Sequence, residues 1–224
     1  MRVTGKKEGL AMKSRHLKGF IAAGVMIVSI NANAMLVAYE DSLGIMGVNQ
    51  SFHNELFLNY SLTPHFAVGE RNIRFVTTDG VKQFFVPEAD FLIYRWNNPD
   101  SQANFYAGGG YGAESFMSQT QGVAMANVAA DWESRKYYLD AEFQSLIAND
   151  TREYNSAKFR AGFAPYLADF NELSTWFILQ FETMPFVENN LFLTPMIRLF
   201  YKNVLVEIGA DFQGNFMFNY MIHI

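Results

Sequence analysis

Apolar and charged residues alternate along most of this chain, in runs of about ten residues separated by turn-forming clusters. The last run shows the pattern most cleanly. In Asn215–Ile224, NFMFNYMIHI, the residues Phe216, Phe218, Tyr220, Ile222 and Ile224 occupy every second position. Met217, Asn219, Met221 and His223 fill the places between them. A period of two places successive side chains on opposite faces of a strand, and helical spacing fits it badly. Elsewhere Asp140, Glu142 and Gln144 alternate with Leu139, Ala141 and Phe143, and Lys158 and Arg160 alternate with Phe159, Ala161 and Phe163. His53, Glu55 and Asn59 oppose Phe52, Leu56, Leu58 and Tyr60. One face of such a strand is apolar along its length, and the other is charged.

Two architectures can use that pattern. A soluble sandwich or lipocalin-like secreted protein that binds a small ligand would turn the apolar face inward. A transmembrane barrel turns it to lipid and keeps the charges in its lumen. Aromatic residues make up 16% of the chain, high for an ordinary soluble domain, which favours the barrel. Lys13, Arg15 and Lys18 followed by Gly19–Ile30 and Ala32-Asn33-Ala34 form the three-part pattern of a cleaved signal peptide over residues 1–34, with Met12 as an alternative translation start. Residues 35–224 then form one domain. The whole chain carries net −5, and six of its cations precede Ala34, so the remainder is more acidic still. A nucleic-acid partner is not expected of such a charge balance. The absence of Cys excludes a disulfide framework and thiolate-ligated metal sites.

The expected strands are Leu36–Gly47, Ser51–Leu62, Phe66–Val76, Lys82–Trp96, Asn104–Glu114, Gly122–Trp132, Tyr137–Ile147, Ser156–Tyr166, Ser174–Thr183, Leu191–Tyr201, Val204–Phe212 and Phe216–Ile224. They give an all-β antiparallel barrel of twelve strands, or ten if Leu36–Gly47 and one weakly alternating segment fall away. Connections such as Thr63-Pro64-His65, Asn98-Pro99-Asp100 and Asp169–Glu172 read as compact turns. A three-residue loop Gln213-Gly214-Asn215 would place Phe212 opposite Phe216 and Ala210 opposite Phe218.

With the terminal strand FMFNYMIHI and the hairpin YSLTPHFAVG (Tyr60–Gly69), the chain resembles bacterial outer-membrane β-barrel proteins. The resemblance implies residence in the outer membrane of a Gram-negative bacterium, contact with its lipid, and insertion by a barrel-assembly machinery. In such proteins that machinery reads the closing strand, which implies an insertion role for Phe216, Phe218, Tyr220, Ile222 and Ile224. That signal usually ends in Phe or Trp, and here the last residue is Ile224.

The charged face is the functional lead. Strand parity directs Glu55, Glu70, Glu88, Asp90, Glu114, Asp131, Asp140, Glu142, Glu182, Glu207 and Asp211 to the lumen, with Arg74, Lys158, Arg160 and Arg198 as basic partners. Carboxylates in such excess would favour a small cationic solute if water enters. Twelve strands lie between barrels filled by their own side chains and barrels with open channels, so a narrow pore and a closed structural barrel both follow. No enzyme activity is expected, because His53, His65 and His223 have no serine and carboxylate placed beside them by the sequence. No cofactor is expected. Met217, Met221 and His223 share a face and suit soft copper, but gap-filling inside a barrel is the expected account of them. Tyr106–Gly112, YAGGGYG, lacks the Lys and helix of a phosphate loop, and as a strand it points Gly108, Gly110 and Gly112 inward. Tyr94, Trp96, Phe105, Tyr111, Trp132, Tyr137, Tyr166, Trp176 and Tyr201 fall near strand ends, where interfacial girdles lie.

Overall fold

Short, turn-rich connections let each strand pair antiparallel with the one before it, and nothing in the chain calls for a crossover. In the computed structural model, which describes residues 36–186 and 191–224, this gives β1 (Ser42–Gln50), β2 (His53–Thr63), β3 (Phe66–Thr77), β4 (Gly80–Asn98), β5 (Ser101–Phe116) and β6 (Gln119–Ser134). The wall continues through β7 (Tyr137–Ala148), β8 (Glu153–Phe163), β9 (Ser174–Thr183), β10 (Leu191–Tyr201), β11 (Val204–Ala210) and β12 (Phe216–His223). Strand β12 pairs with β1, Ile45 opposite Ile222 and Gly47 opposite Tyr220, and closes the barrel. Closure leaves no unpaired edge, which a hydrocarbon surrounding would penalise. The signal-peptide segment 1–34 lies outside the described residues.

Twelve strands form, not ten, although the first sits later than its sequence indicates. Residues 36–38 precede β1 and turn into the lumen instead of joining the wall. Asn59 Nδ2 donates to the Leu36 carbonyl at 2.7 Å, the Ala38 N–H donates to Ser61 Oγ at 2.9 Å, and Val37 is fully buried.

The outer face carries the large apolar side chains. Phe85, Ile93, Phe143, Phe159, Ile197, Ile208 and Phe218 are exposed, while Glu88, Asp90, Asp140, Arg160, Arg198 and Glu207 are buried within the barrel. This distribution is the reverse of a soluble sandwich or lipocalin-like barrel, whose interior is apolar. It makes the fold a transmembrane barrel with a lipid-facing exterior. Tyr94, Trp96, Tyr137 and Tyr201 are exposed at the end where β1 begins and β12 ends, as an aromatic girdle requires. Trp176 departs from that expectation. It is buried in the lumen with Tyr138, Ile178, Met196 and Met217, and its indole N–H donates to Ser174 Oγ at 2.9 Å.

Two further local expectations change. The β11–β12 register places Ala210 opposite Phe216 and Ile208 opposite Phe218, two residues away from the expected pairing. The reason is Asp211. Its Oδ1 accepts the N–H groups of Gln213 and Asn215, both at 2.8 Å, and its Oδ2 accepts Asn215 Nδ2 at 2.8 Å. That cap widens the loop to residues 211–215, and because the shift is even every side chain keeps its face. The connection after β8 is also longer than the compact Asp169–Glu172 turn, running from residue 164 to 173. Pro165 cannot donate to a ladder, and Tyr166 Oη instead donates to the Leu173 carbonyl at 2.8 Å.

Candidate functional site: the ion-paired lumen

Inward positions along β3, β4 and β7 run from apolar through charged to apolar. On β3 the order is Ala67, Arg71, then Ile73 and Phe75; on β4 it is Leu92, then Asp90 and Glu88, then Val86 and Phe84. On β7 Tyr138 gives way to Asp140 and Glu142, then to Leu146 and Ala148. The apolar group at the terminal end gathers Val37, Ala67, Leu92 and Tyr106. At the opposite, loop end Ile73, Phe75, Phe84, Val123, Leu146 and Tyr154 pack together. Phe186, from the connection after β9, packs there with its ring tilted against both neighbours, its centroid 5.3 Å from Phe75 and 4.6 Å from Tyr154.

Three arginines organise the charged zone. Arg71 donates from Nε and Nη2 to the Glu88 carboxylate at 3.0 and 2.8 Å, pairs through Nη1 with Glu55, and lies 4.2 Å over the Phe57 ring. Arg160 donates to Asp140 at 2.8 Å and to Glu142 at 2.9 Å, and stands 3.6 Å from Glu207. Arg198 donates from Nε to Glu207 at 2.7 Å, with its guanidinium 4.3 Å over Tyr138. Lys158 pairs with Glu142 at 2.8 Å, and Asn219 Nδ2 donates to Glu207 at 2.9 Å. The planar fork of Arg suits such multiple pairing, and each carboxylate buried here needs it to offset desolvation.

Four inward carboxylates have no basic side chain within 4.0 Å among the described residues: Asp90, Asp131, Glu133 and Glu182. Amides serve Asp90, Asp131 and Glu182 instead. Asn127 Nδ2 donates to Asp90 at 3.3 Å and Asn104 Nδ2 to Asp131 at 2.7 Å. Gln50 and Gln180 donate to Glu182 at 3.0 and 2.8 Å. Beside the arginines lie two small cavities. One of about 80 Å³ is bordered by Glu55, Arg71, Asp140, Glu142, Lys158 and Glu207, and one of about 60 Å³ is bordered by His53, Glu55, Glu142, Lys158, Gln180 and Glu182. They share Glu55, Arg71, Glu142 and Lys158, and each has polar lining and room for several waters.

Of the residues singled out from the sequence, Glu55, Glu88, Asp90, Glu114, Asp131, Asp140, Glu142, Glu182, Glu207, Lys158, Arg160 and Arg198 face inward. Asp211 is buried, but in the β11–β12 turn, where its oxygens cap backbone N–H groups. That turn lies outside the strands, and although partial burial pushes its carboxyl upward, the Asn215 side chain and the N–H groups of the turn hold it below the ordinary range.

Arg74 and Glu70 require correction. Both fall on the outer face of β3, because Ile73 pairs with Glu55 and Phe84 and Arg71 pairs with Phe57 and Val86, which fixes the odd-numbered residues inward. Arg71 takes the place expected of Arg74. Lys82, Arg95 and Glu133 were also missed. Lys82 shares the parity of Phe84 and Glu88 and meets Glu114 at 3.2 Å, and Glu133 shares the parity of Asp131, so the signal was present for both. Arg95 follows a register shift between Leu92 and Tyr94, which parity cannot anticipate, and its Nε donates to Asn104 at 2.7 Å.

The thioether and imidazole candidates are not brought together. Met217 packs with Trp176 and Met196, Met221 packs with Leu205, and His223 Nε2 and the Asn59 side chain both border the space over Gly44. Among the described residues no group of three or more His, Asp or Glu is arranged to hold a metal. His53 stacks on Phe75 at 4.8 Å and approaches Glu55 at 3.4 Å, and neither of its ring nitrogens makes a hydrogen bond. Gly108 lies under Asp90, whose Oδ1 would collide with any added Cβ, and at Gly112 the obstacle is the Phe85 carbonyl. Those glycines serve close strand approach rather than phosphate.

No family model matches the chain, and no curated protein does either. Among solved structures the barrel is similar to the KdgM porin in complex with disordered oligogalacturonate, at 12% identity and a TM-score of 0.47, covering 81% of this chain and 97% of that one. It is also similar to the CymD monoaromatic hydrocarbon channel, at 8% identity and 0.35, covering 83% and 88%. A third likeness is to a loop L8 deletion mutant of OmpT, an outer membrane protein of Vibrio cholerae, at 8% and 0.29, covering 82% and 97%. Likenesses this distant carry no conclusion about cargo.

Proposed function

We propose that this protein is an outer-membrane barrel of a Gram-negative bacterium that passes small cations through a narrow, ion-paired lumen, without catalysis. The observation that carries the reading is the surplus of inward carboxylates, with Asp90, Asp131, Glu133 and Glu182 lacking basic partners within 4.0 Å among the described residues. Fixed negative charge in a confined aqueous path attracts cations and repels anions. The adjoining cavities beside Arg71 and Lys158 supply polar, water-sized space where such ions would pass. The terminal strand β12 is the segment that a barrel-assembly machinery would read during insertion, and its exposed Phe216 and Phe218, with Ile224 just beyond it, suit that contact.

A closed structural barrel is the second reading. The packing of Phe75, Phe84, Tyr154 and Phe186 at the loop end favours it. Planar-bilayer recording separates the two. Small, discrete conductance steps are expected of the channel; a bilayer that stays silent after verified insertion contradicts it and leaves the structural barrel.

A further inference from the structure

The lipid-facing wall is interrupted by a polar row. Cross-strand pairing aligns Asn49 with Asn54, Asn54 with Arg74, Arg74 with Gln83 and Gln83 with Ser115, so one line of polar side chains crosses β1 to β5. All five lie close to the loop-end termini of their strands. On β10, by contrast, the outward residues Leu191, Leu193, Pro195, Ile197 and Leu199 include no polar side chain. The row borders a groove of about 410 Å³ on the outer surface, with Asn72 also lining it and Leu56, Phe85 and Tyr220 as its apolar walls. The Tyr220 ring lies across Gly47, where a larger residue would displace it.

The one carboxylate bordering this groove, Glu55, is paired with Arg71, which leaves the charge of Arg74 unanswered. Arg74 is exposed and makes no ion pair, and the side chains of Asn54, Asn72, Arg74 and Gln83 make no hydrogen bond among the described residues. A guanidinium at the edge of the hydrocarbon is complemented by an anion that reaches it from the membrane, and a phosphate matches its fork of donors. The amides add further donors, and the apolar walls lie along the path of an acyl chain. Glu70, the next outward residue beyond Asn72, lies roughly 13 Å along the strand from Arg74 and outside the groove.

From this juxtaposition we infer that the groove over β1–β5 binds a phosphate-bearing membrane lipid, its phosphate on Arg74 and an acyl chain against Leu56 and Phe85. The inference rests on the membrane placement of the barrel and not on conduction, so a silent bilayer leaves it untouched.

Native mass spectrometry of the barrel released from neutral-detergent micelles tests it, with diphosphorylated lipid A and its dephosphorylated form as probes. The expected result is retention of the phosphorylated form by roughly tenfold over the other, lost in Arg74→Gln and partly kept in Arg74→Lys. Glu70→Gln should retain the lipid at least as well as the parent. Equal retention of both probes, or an unchanged preference in Arg74→Gln, overturns the assignment and leaves interfacial side chains that meet only water. A lipid-independent dimer abolished by Arg74→Gln also overturns it, assigning the groove to a second copy of the chain. Loss of binding in Glu70→Gln alone would overturn the role of Arg74.

Discussion

Strands β12 and β3 belong to the same wall, yet they obey its pattern differently. On β12 the outward residues are Phe216, Phe218, Tyr220 and Ile222, and the inward ones include Asn219 between Met217 and Met221. On β3 the outward positions include Val68, Glu70, Asn72 and Arg74, while Ala67, Ile73 and Phe75 face the lumen around a single cation, Arg71. Read alone, β3 would turn over. It is held by its neighbours, since residues directly opposite in a ladder share a face and both β2 and β4 have unambiguous patterns. Arg71 then gains Glu55 and Glu88, which Arg74 could not reach from the outer side.

The largest break in this comparison should come from the lumen side. Arg71→Ala removes the arginine that pairs with both Glu55 and Glu88 in the lumen and is expected to cost about 3–5 kcal/mol, whereas Arg74→Ala should stay within about 0.5 kcal/mol. Urea titration of the refolded barrel, followed by its heat-modifiable gel mobility, measures both. Equal costs at the two positions would mean that the β3 register is wrong.

Next in size is the lipid face. Phe218→Asp puts a carboxylate among the apolar residues of the closing strand and should destabilise by about 2 kcal/mol. Asn72→Asp, in the polar groove, should cost less than half of that. If Phe218→Asp folds and accumulates in the membrane like the parent, the outward assignment of β12 fails.

The smallest of these effects concerns the turn that joins β11 and β12. Asp211→Ala removes three accepted hydrogen bonds and is expected to cost about 1–2 kcal/mol at neutral pH. The Asp211 carboxyl is held below its ordinary value of 3.8, so the folded barrel favours its ionised form. That contribution is present above the unfolded value and is lost as pH falls through the folded one. The gap between parent and variant should therefore be constant near neutrality and shrink below about pH 4. A gap that widens on acidification would contradict the cap.

How much of this could be read beforehand depended on the redundancy of each segment. Strands β9 and β10 have the limits their alternation indicates, since turn clusters flank both and apolar residues fill one face. Strand β1 does not: Leu36, Val37 and Ala38 are apolar enough for a wall but lie inside the barrel, bound to Asn59 and Ser61. The faces of Glu207 and Asn219 were legible through an error of two in register, because parity survives an even shift. Arg74 was not, because its own strand carries an inverted pattern and its facing is a property of β2 and β4. Trp176 near a strand end reads as an interfacial anchor, and only the three-dimensional neighbourhood of Tyr138 and Met217 reveals it as lumen packing.

The central claim is that an acid-rich lumen selects cations, and the reversal potential across a potassium chloride gradient tests it most directly. The account predicts a potential of the cation-selective sign, moving toward zero in an Asp131→Asn, Glu182→Gln double variant. A potential of the anion-selective sign in the parent would contradict it.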